Sequence, residues 1–201
     1  MSNREPAVNL VNSYIQTLAD RLLAAEVTDA SGAAVKTETA VLDTGRMARE
    51  THAAGNKLMF IGNGGSAGIC SHMATDYSKN GGIRSLAFND GAFLTCLGND
   101  LGYENVFAKQ IEFHGRAGDL LVAISSSGRS PNILKAVAAA RLQKIAVVTL
   151  SGFAADNPLR GLGDLNFYLR DGNYGFVEVG HLTLLHAVLD IAMGWKPGTD
   201  A

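Results

Sequence analysis

Apolar residues follow two different spacings along the 201-residue chain, and segments of the two kinds alternate. Short uninterrupted apolar runs at 58–61, 120–124, 145–150 and 165–169 predict buried strands, with 85–88 as a shorter candidate. Segments with apolar residues at every third or fourth position predict helices over 6–27, 36–54, 67–77, 104–113, 131–141 and 176–195. This alternation is typical of an α/β fold with a parallel sheet.

The first predicted helix has one continuous apolar stripe. Its members are Val8, Val11, Ile15, Leu18 and Leu22. Residues 28–34 after it have the composition of a loop, so this helix is free to lie apart from the sheet. We therefore predict that residues 6–54, which hold the first two helices, contribute to packing between subunits.

Composition narrows the function classes. A hydrophobic content of 47% supports a full core, and we predict a single domain over residues 1–201. The net charge of −2 without a basic cluster disfavours nucleic acid as a partner. The N-terminus lacks the apolar core of a signal peptide, and no run approaches the roughly 20 apolar residues of a membrane span. We expect a cytoplasmic protein without a membrane partner, in which Cys70 and Cys96 are buried thiols.

Two loops rich in serine and glycine follow two of the predicted strands. The first is GNGGS at 62–66, with Ser66 where the cap of the next helix is expected, and the second is SSSGRS at 125–130, followed by Pro131. Ligands bind beyond the carboxyl ends of parallel strands, and helix N-termini attract phosphate. We predict one phosphate pocket formed by Ser66, Ser125, Ser126, Ser127 and Ser130. Two ordinary turns are the alternative, and the presence of two serine-rich loops favours the pocket.

Two pairs of ionisable residues occur at helical spacings. His72 and Asp76 are four residues apart and share a helix face, whereas Glu178 and His186 are eight apart, about 80° around a helix. Two imidazoles and two carboxylates can transfer protons or bind a divalent metal such as zinc. A surface ion pair and a core histidine are alternatives that the spacing leaves open. We expect His181, on the last helix, to be structural or to support these groups.

Several motifs together resemble the sugar isomerase (SIS) domain family. They are GNGGS at 62–66, GND at 98–100, AISSSGRS at 123–130, VVTLSG at 147–152 and the histidine-bearing last helix. The combination of GNGGS, GND and the terminal histidine is similar to the phosphoheptose isomerase branch of that family. Members of this branch convert sedoheptulose 7-phosphate to a heptose 7-phosphate.

The resemblance implies a three-layer α/β/α sandwich with a five-stranded parallel sheet, and a homotetramer whose subunits share active sites. The serines match phosphate-binding positions, and Asn63 and Asp100 match sugar-contacting ones. Asp76 and His186 match the catalytic positions. Four residues match positions that bind zinc in some members, namely His72, Asp76, Glu178 and His186. We also expect Glu178 to contact the substrate.

Three residues depart from the family pattern. Asp76 replaces a glutamate, which retracts the carboxylate by about 1.5 Å in a step that needs contact at ~2.6–3.2 Å. Glu178 replaces a neutral glutamine, and its charge should strengthen the binding of a divalent metal or, without a metal, raise the pKa of a neighbouring carboxylate. Gly175 stands where an acidic residue is common, so the sugar end of the pocket is expected to differ.

We therefore predict an aldose–ketose isomerase of a phosphorylated sugar. The serines would anchor the phosphate and thereby hold C1 and C2 between Asp76 and His186. One of these two groups would remove a proton from carbon, an enediol(ate) would form, and the other group would help to return the proton to the neighbouring carbon. The alternative is a non-catalytic SIS protein that senses a sugar phosphate or binds a protein, like the relative that binds the bacterial replication initiator. That relative lacks the acid and the histidine that this chain has.

Overall fold

The predicted apolar runs form strands of one sheet. The computed structural model describes residues 9–198. Its strands are β1 (Glu26–Asp29), β2 (Ala34–Val35), β3 (Leu58–Ile61), β4 (Ser85–Ala87), β5 (Leu120–Ser125), β6 (Ala146–Gly152) and β7 (Leu165–Leu169). Every residue of β3, β5 and β7 is buried, which explains why these strands appear as continuous apolar runs in the sequence.

Helices cover both faces of the sheet. They are α1 (Leu10–Leu23), α2 (Thr37–Ala53), α3 (Gly65–Lys79), α4 (Gly91–Leu101), α5 (Val106–His114), α6 (Pro131–Leu142) and α7 (Tyr174–Ala192), with 3₁₀ turns at Tyr103–Asn105 and Pro158–Gly161. One apolar cluster joins α2, α3 and α7 to Leu58 and Phe60 of β3, and the other joins α4, α5 and α6 to Met59 and Ile61. Successive side chains of a strand point to opposite faces, so β3 serves both clusters. The predicted three-layer α/β/α sandwich is confirmed.

The strand order is β2-β1-β7-β6-β5-β3-β4. The strands from β7 to β4 are parallel, whereas β1 pairs antiparallel with both β7 and β2. Five strands is therefore the correct number for the parallel part and too low for the whole sheet, which has seven. The chain passes from β3 outward to β4 and returns to β5 on the other side of β3, so the strand order reverses between β3 and β5.

The two additional strands form a hairpin in a segment predicted as the end of a helix and a loop. Helix α1 ends at Leu23, and residues 6–8 of the predicted helix lie outside the described residues. Val27 of β1 pairs with Val35 of β2 and with Phe167 of β7. Strands this short carry too little of a period-two pattern to be distinguished from a loop in the sequence.

Helix α1 leaves the first half of its apolar stripe uncovered, whereas the last two members of the stripe are half-buried. None of its residues is buried, and Leu10, Val11 and Ile15 are more than half exposed. It is attached to α7 by the rings of Tyr14 and Phe176, whose centroids are 4.5 Å apart. An uncovered apolar stripe of this kind is available for a contact with another subunit.

Helix α4 contains both the GND motif and Cys96, whose predicted burial is wrong. The GND motif at 98–100 lies within the last turn of this helix, for which no element was predicted. Cys96 is exposed, contrary to the prediction, because it lies on the outer face of α4 with its sulfur 3.6 Å from Asp100 Oδ2. Cys70 is buried in α3 as predicted, and both thiols are free.

Helix α7 is long and apolar enough to cross a membrane when judged by length and composition alone. Its residues Leu184, Leu185, Val188 and Leu189 are buried in the cluster that they form with α2, α3 and the sheet. The apolar character of α7 is therefore that of a core helix, which places its polar side chains at defined points beside the sheet.

Candidate active site

The two serine-containing loops leave the sheet side by side at the point where the strand order reverses. Strands β3 and β5 pair in parallel, with Ile61 opposite Ala123 near their carboxyl ends. The chain after β3 enters α3, and the chain after β5 enters α6. Neighbouring strands whose connections diverge in this way leave a crevice beyond their carboxyl ends, where ligands of open α/β sheets bind.

A cavity of about 270 Å³ occupies this crevice. Its lining includes seven residues predicted to bind the substrate: Asn63, Ser66, Ser125, Ser126, Ser127, Ser130 and Glu178. Asp100, the remaining predicted contact, is not part of the lining and accepts a hydrogen bond from Asn99 Nδ2 at 2.8 Å. The structure therefore brings both serine loops together and leaves the GND motif outside this cavity.

Ser66 lies further into its helix than predicted. Helix α3 begins at Gly65, and the cap position is Gly64, which has a φ of 54° and no side chain to cap the helix. This left-handed backbone conformation explains the glycine. Ser66 is buried in the first turn, where backbone N–H groups have no acceptor within the helix. Its hydroxyl and the start of α3 thus face the same cavity.

The second loop supplies serine hydroxyl groups, and not all of them have a hydrogen-bond partner among the described residues. Ser126 is 6% exposed, and its Oγ has no hydrogen-bond partner among the described residues. The hydroxyls of Ser125 and Ser130 lie 3.1 Å apart, and Ser130 occupies the cap position of α6 ahead of Pro131, as predicted. An unpaired buried hydroxyl costs about 1–3 kcal/mol, so this arrangement favours a ligand with hydrogen-bond acceptors.

Glu178 brings a carboxylate into the same cavity. A Cβ built on Gly65 would lie 2.4 Å from Glu178 Oε2, so the carboxylate packs against this glycine at the start of α3. It has no hydrogen-bond or ion-pair partner within residues 9–198. Negative charge is stabilised at a helix N-terminus, which accounts for this position.

Asn157, which was not among the predicted site residues, packs against the second loop from behind. Its Nδ2 donates to Ser151 Oγ, Gly152 O and Ala154 O at 3.3, 3.2 and 2.9 Å. A Cβ on Gly128 would lie 1.9 Å from Asn157 Oδ1, and Gly128 has a φ of +62°. Gly128 is thus required by both its conformation and its neighbour. The sequence Asn157-Pro158 indicates a turn but not this support.

Asn63 is positioned by two residues that were not predicted. The side-chain amides of Asn63 and Asn132 form hydrogen bonds of 3.0 and 2.8 Å, and Tyr103 Oη donates to Asn63 Oδ1 at 3.0 Å. Asn132 is buried in the first turn of α6, so the pair links the two loops. The partners are 40 and 69 residues from Asn63 in sequence, and no local pattern signals such contacts.

The second group of predicted residues lies toward the other end of α3 and α7. His72 Nε2 is 3.2 Å from His186 Nε2 and 3.3 Å from Asp76 Oδ2, and His186 Nδ1 is 4.0 Å from the same oxygen. The predicted convergence of these three residues is observed. Glu178 is not part of this cluster. It precedes His186 by eight residues, about 12 Å of helix, and faces the serine cavity instead.

The donor atoms of this cluster suit a divalent metal ion. His72, Asp76 and His186 each offer one ligand atom, and these atoms lie within 4.8 Å of one another. Two ligand atoms at ~2.0–2.1 Å from a tetrahedral zinc are ~3.3 Å apart, close to the separations that His72 Nε2 makes with its two neighbours. Two imidazoles and one carboxylate form a donor set that leaves a fourth position open.

Comparison with known proteins agrees with this geometry. A sequence profile of the SIS domain family matches residues 24–152. The chain belongs to the SIS domain family. Phosphoheptose isomerase from Nitratidesulfovibrio vulgaris is 36% identical to it over 152 residues, which cover 73% of each chain. Phosphoheptose isomerase from Photorhabdus laumondii is 32% identical over 191 residues, covering 91% of this chain and 94% of that one.

Solved structures share the SIS domain fold over most of the chain. Phosphoheptose isomerase from Neisseria gonorrhoeae superposes with a TM-score of 0.77 at 27% identity, covering 91% of this chain and 97% of that one. The Vibrio vulnificus NanR protein complexed with ManNAc-6P superposes with a TM-score of 0.67 at 18% identity, covering 93% and 63%. This second likeness concerns the fold alone.

Two further residues of this SIS domain, Gly175 and His181, lie on α7, and their contacts explain their presence there. A Cβ on Gly175 would lie 2.7 Å from Tyr14 Oη, so the glycine gives α1 room to pack. His181 is structural: it is fully buried, and its Nε2 lies 3.1 Å from Ser151 O. Burial lowers the pKa of His181 to about 4, so the neutral ring donates from Nε2 to that carbonyl.

Proposed function

We propose that this chain converts sedoheptulose 7-phosphate to the corresponding heptose 7-phosphate. Relatives named phosphoheptose isomerase match most of its length at 32–36% identity. The observation that carries the proposal is the cavity at the strand reversal, where both serine loops and the unpaired Ser126 hydroxyl meet. A phosphate group supplies the acceptors that these hydroxyls and the N-terminus of α6 require, whereas Glu178 already lies at the start of α3.

Asp76 and His186 transfer the proton in this proposal. The serines hold the phosphate, and this remote binding fixes C1 and C2 beside the two groups. One of them removes a proton from carbon, which gives an enediol(ate), and the other helps to deliver it to the neighbouring carbon. Their 4.0 Å separation allows both to reach adjacent carbon atoms of one substrate.

His72, Asp76 and His186 would hold a zinc ion, which would polarise the sugar oxygens as a Lewis acid. Asp76 cannot serve fully in both roles, because a carboxylate bound to a cation is a poorer base. Glu178 would add a fourth ligand if the assembled protein brought it to the cluster. Metal analysis of protein purified without chelator tests this assignment, since His72→Ala should lose the zinc and His52→Ala should keep it. Equal zinc content in both would contradict it.

We propose that the complete site forms between subunits of a homotetramer. Ser66 and Asp76 are separated by about 15 Å along α3, so the phosphate end and the proton-transfer end are far apart within one chain. The uncovered stripe of α1 offers apolar surface for assembly. In this arrangement the serine cavity of one subunit faces the His72–Asp76–His186 cluster of another.

We also propose a cytoplasmic location. Both cysteines are free thiols, and Cys96 is exposed. Free exposed thiols are typical of reducing compartments. Phosphorylated sugars are also intracellular metabolites, which agrees with the proposed substrate.

Solvent deuterium exchange tests the proposed reaction. Incubation with sedoheptulose 7-phosphate in deuterated water should place deuterium on C1 or C2 and produce the aldose, and Asp76→Asn should abolish both changes. Ketose phosphates of other lengths serve as the comparison for chain length. A non-catalytic sensor would bind one of these compounds without exchange, and that result would replace the isomerase proposal.

A further inference from the structure

A second cavity lies at the opposite end of β3 from the serine loops. Its volume is about 490 Å³, and its lining includes Lys57, Arg84 and Arg116. It opens between the edge strand β4, the start of α4 and the end of α5. Lys57 precedes β3 and Asn63 follows it, so the two cavities are separated by about 20 Å of extended chain.

Two arginines converge on one backbone carbonyl at the rim of this cavity. Arg84 Nη1 donates to Gly55 O at 2.8 Å, and Arg116 Nη2 donates to the same oxygen. Arg116 Nε also donates to Asn56 Oδ1 at 2.9 Å. Neither arginine forms an ion pair with a carboxylate within residues 9–198. A guanidinium has five N–H donors, so each keeps donors that no protein group accepts.

The remaining charges of the cavity are already engaged. Lys57 Nζ lies 2.6 Å from Asp119 Oδ2, a buried carboxylate that neutralises it. Asp90, the acidic residue of the lining, caps α4 by accepting the Phe93 N–H at 3.0 Å and keeps its negative charge, so the two arginines leave the lining with one excess positive charge. The guanidiniums of Arg84 and Arg116 therefore make the rim of the cavity positively charged. A bound anion would relieve the repulsion between them.

The opposite wall of the cavity is aromatic. The ring of His114 lies 5.7 Å from that of Phe93 and 6.1 Å from that of Phe88, measured between centroids. Leu86 and Ala87 of β4 extend this apolar wall. A volume of ~300–1,000 Å³ with apolar walls and a few convergent polar groups is typical of sites for small organic molecules.

We propose that this second cavity binds a small organic anion that carries a phosphate or carboxylate on a flat ring. The anionic group would accept hydrogen bonds from Arg84 and Arg116, which present planar forks of donors. The ring would pack against Phe93 and His114. The proposal is independent of the isomerase reaction, because no residue of the serine cavity or of the His72 cluster takes part.

Calorimetric titration of the full chain with phenyl phosphate tests the proposal. Arg84→Gln and Arg116→Gln should each weaken binding about tenfold, the usual effect of losing a charge-assisted hydrogen bond. Arg49→Gln is the matched control, since Arg49 Nη1 likewise donates to a backbone carbonyl, Ala192 O, at 3.1 Å. Benzoate and inorganic phosphate are the comparison ligands, which separate the preferred anionic group from the contribution of the ring.

Ser130→Ala, a variant of the serine cavity, shows which of the two cavities binds phenyl phosphate. Weakening by Ser130→Ala without weakening by either arginine substitution would assign phenyl phosphate to the serine loops and overturn the proposal. Absence of any binding, or unchanged binding in the double arginine variant, would also overturn it. Should the glutamine variants unfold, Arg84→Lys and Arg116→Lys keep the charge without the fork, and weaker binding is still expected.

Discussion

The two ends of helix α7 differ in how much of a functional site a single chain completes around them. Near its start, Glu178 faces a cavity whose walls come from two loops of the same chain. Eight residues later, His186 lies with His72 and Asp76 in a cluster that is open to solvent, with the His72 and His186 side chains 51% and 35% exposed. One chain thus encloses the cavity with its own loops and leaves the cluster exposed, which agrees with the proposal that a second subunit completes the proton-transfer end.

The largest effect on activity should come from a substitution in the exposed cluster of His72, Asp76 and His186. Replacing His186 with Ala removes one of the two proposed proton-transfer groups, and we expect kcat to fall about 10³-fold. The KM should change little because the serine cavity is intact. Initial rates with sedoheptulose 7-phosphate measure both constants, with His52→Ala as the control. A loss of less than tenfold would remove His186 from the chemistry.

Mixing a variant of the serine cavity with a variant of the histidine cluster tests whether the two regions of one site come from different subunits. Subunits with Ser125→Ala and Ser130→Ala keep the cluster, and subunits with His186→Ala keep the cavity. If each site combines both regions from different subunits, refolding equal amounts together should restore about a quarter of the wild-type rate at low substrate through random pairing. A mixture no faster than the average of the two separate proteins would place both regions of each site in one subunit.

Substitutions in the serine cavity, near the start of α7, should affect substrate binding rather than turnover. Ser130→Ala removes a hydroxyl predicted to donate to the phosphate, and we expect KM to rise about tenfold with kcat within roughly twofold. Because Ser125 and Ser130 contact each other at 3.1 Å, the double substitution should cost less than the sum of the single ones. Ser78→Ala is the control. A drop in kcat at constant KM would contradict an anchoring role.

The smallest effect concerns His181, which lies between the two ends of α7. Its folded pKa of about 4 is below the unfolded value of 6.5, so the unfolded chain binds more protons as the pH falls below 6.5. The stability that the neutral ring contributes is therefore complete above pH 6.5 and is lost progressively toward pH 4. Between pH 7 and 5.5 the loss should be roughly 1 kcal/mol, or about 2–4 °C in Tm. His181→Asn should flatten this part of the Tm profile relative to His52→Asn, and an unchanged profile would contradict the assignment.

The parts of the molecule that the sequence predicts are those with local causes. The parallel strands are apolar because they are buried on both faces, and the start of α6 follows from Ser130 and Pro131 in succession. The pairing of His72 with Asp76 follows from helical spacing. Because both loops end neighbouring strands of a parallel sheet, their meeting in one cavity could also be anticipated.

The parts that the sequence does not predict depend on contacts between distant segments. The β1–β2 hairpin is stabilised by pairing with β7 rather than by its own propensity. The placement of Glu178 over Gly65, away from His186, depends on how α7 packs against α3. Asn132 and Asn157 act through bonds to other loops, and neither has a local pattern that distinguishes it from a turn residue.

The contacts that fix the second serine loop from behind have a consequence for affinity. A flexible loop loses about 1–2 kcal/mol of conformational entropy for each residue that a ligand fixes. Here the second serine loop is held by backbone hydrogen bonds, because Gly152 N donates to Ser126 O at 2.9 Å and Leu159 N donates to Gly128 O at 3.2 Å. Asn157 donates to the end of β6 and to the segment after it, and packs against Gly128. An incoming anion therefore meets donors whose geometry was set during folding, so its binding does not bear the additional entropy cost of ordering this loop.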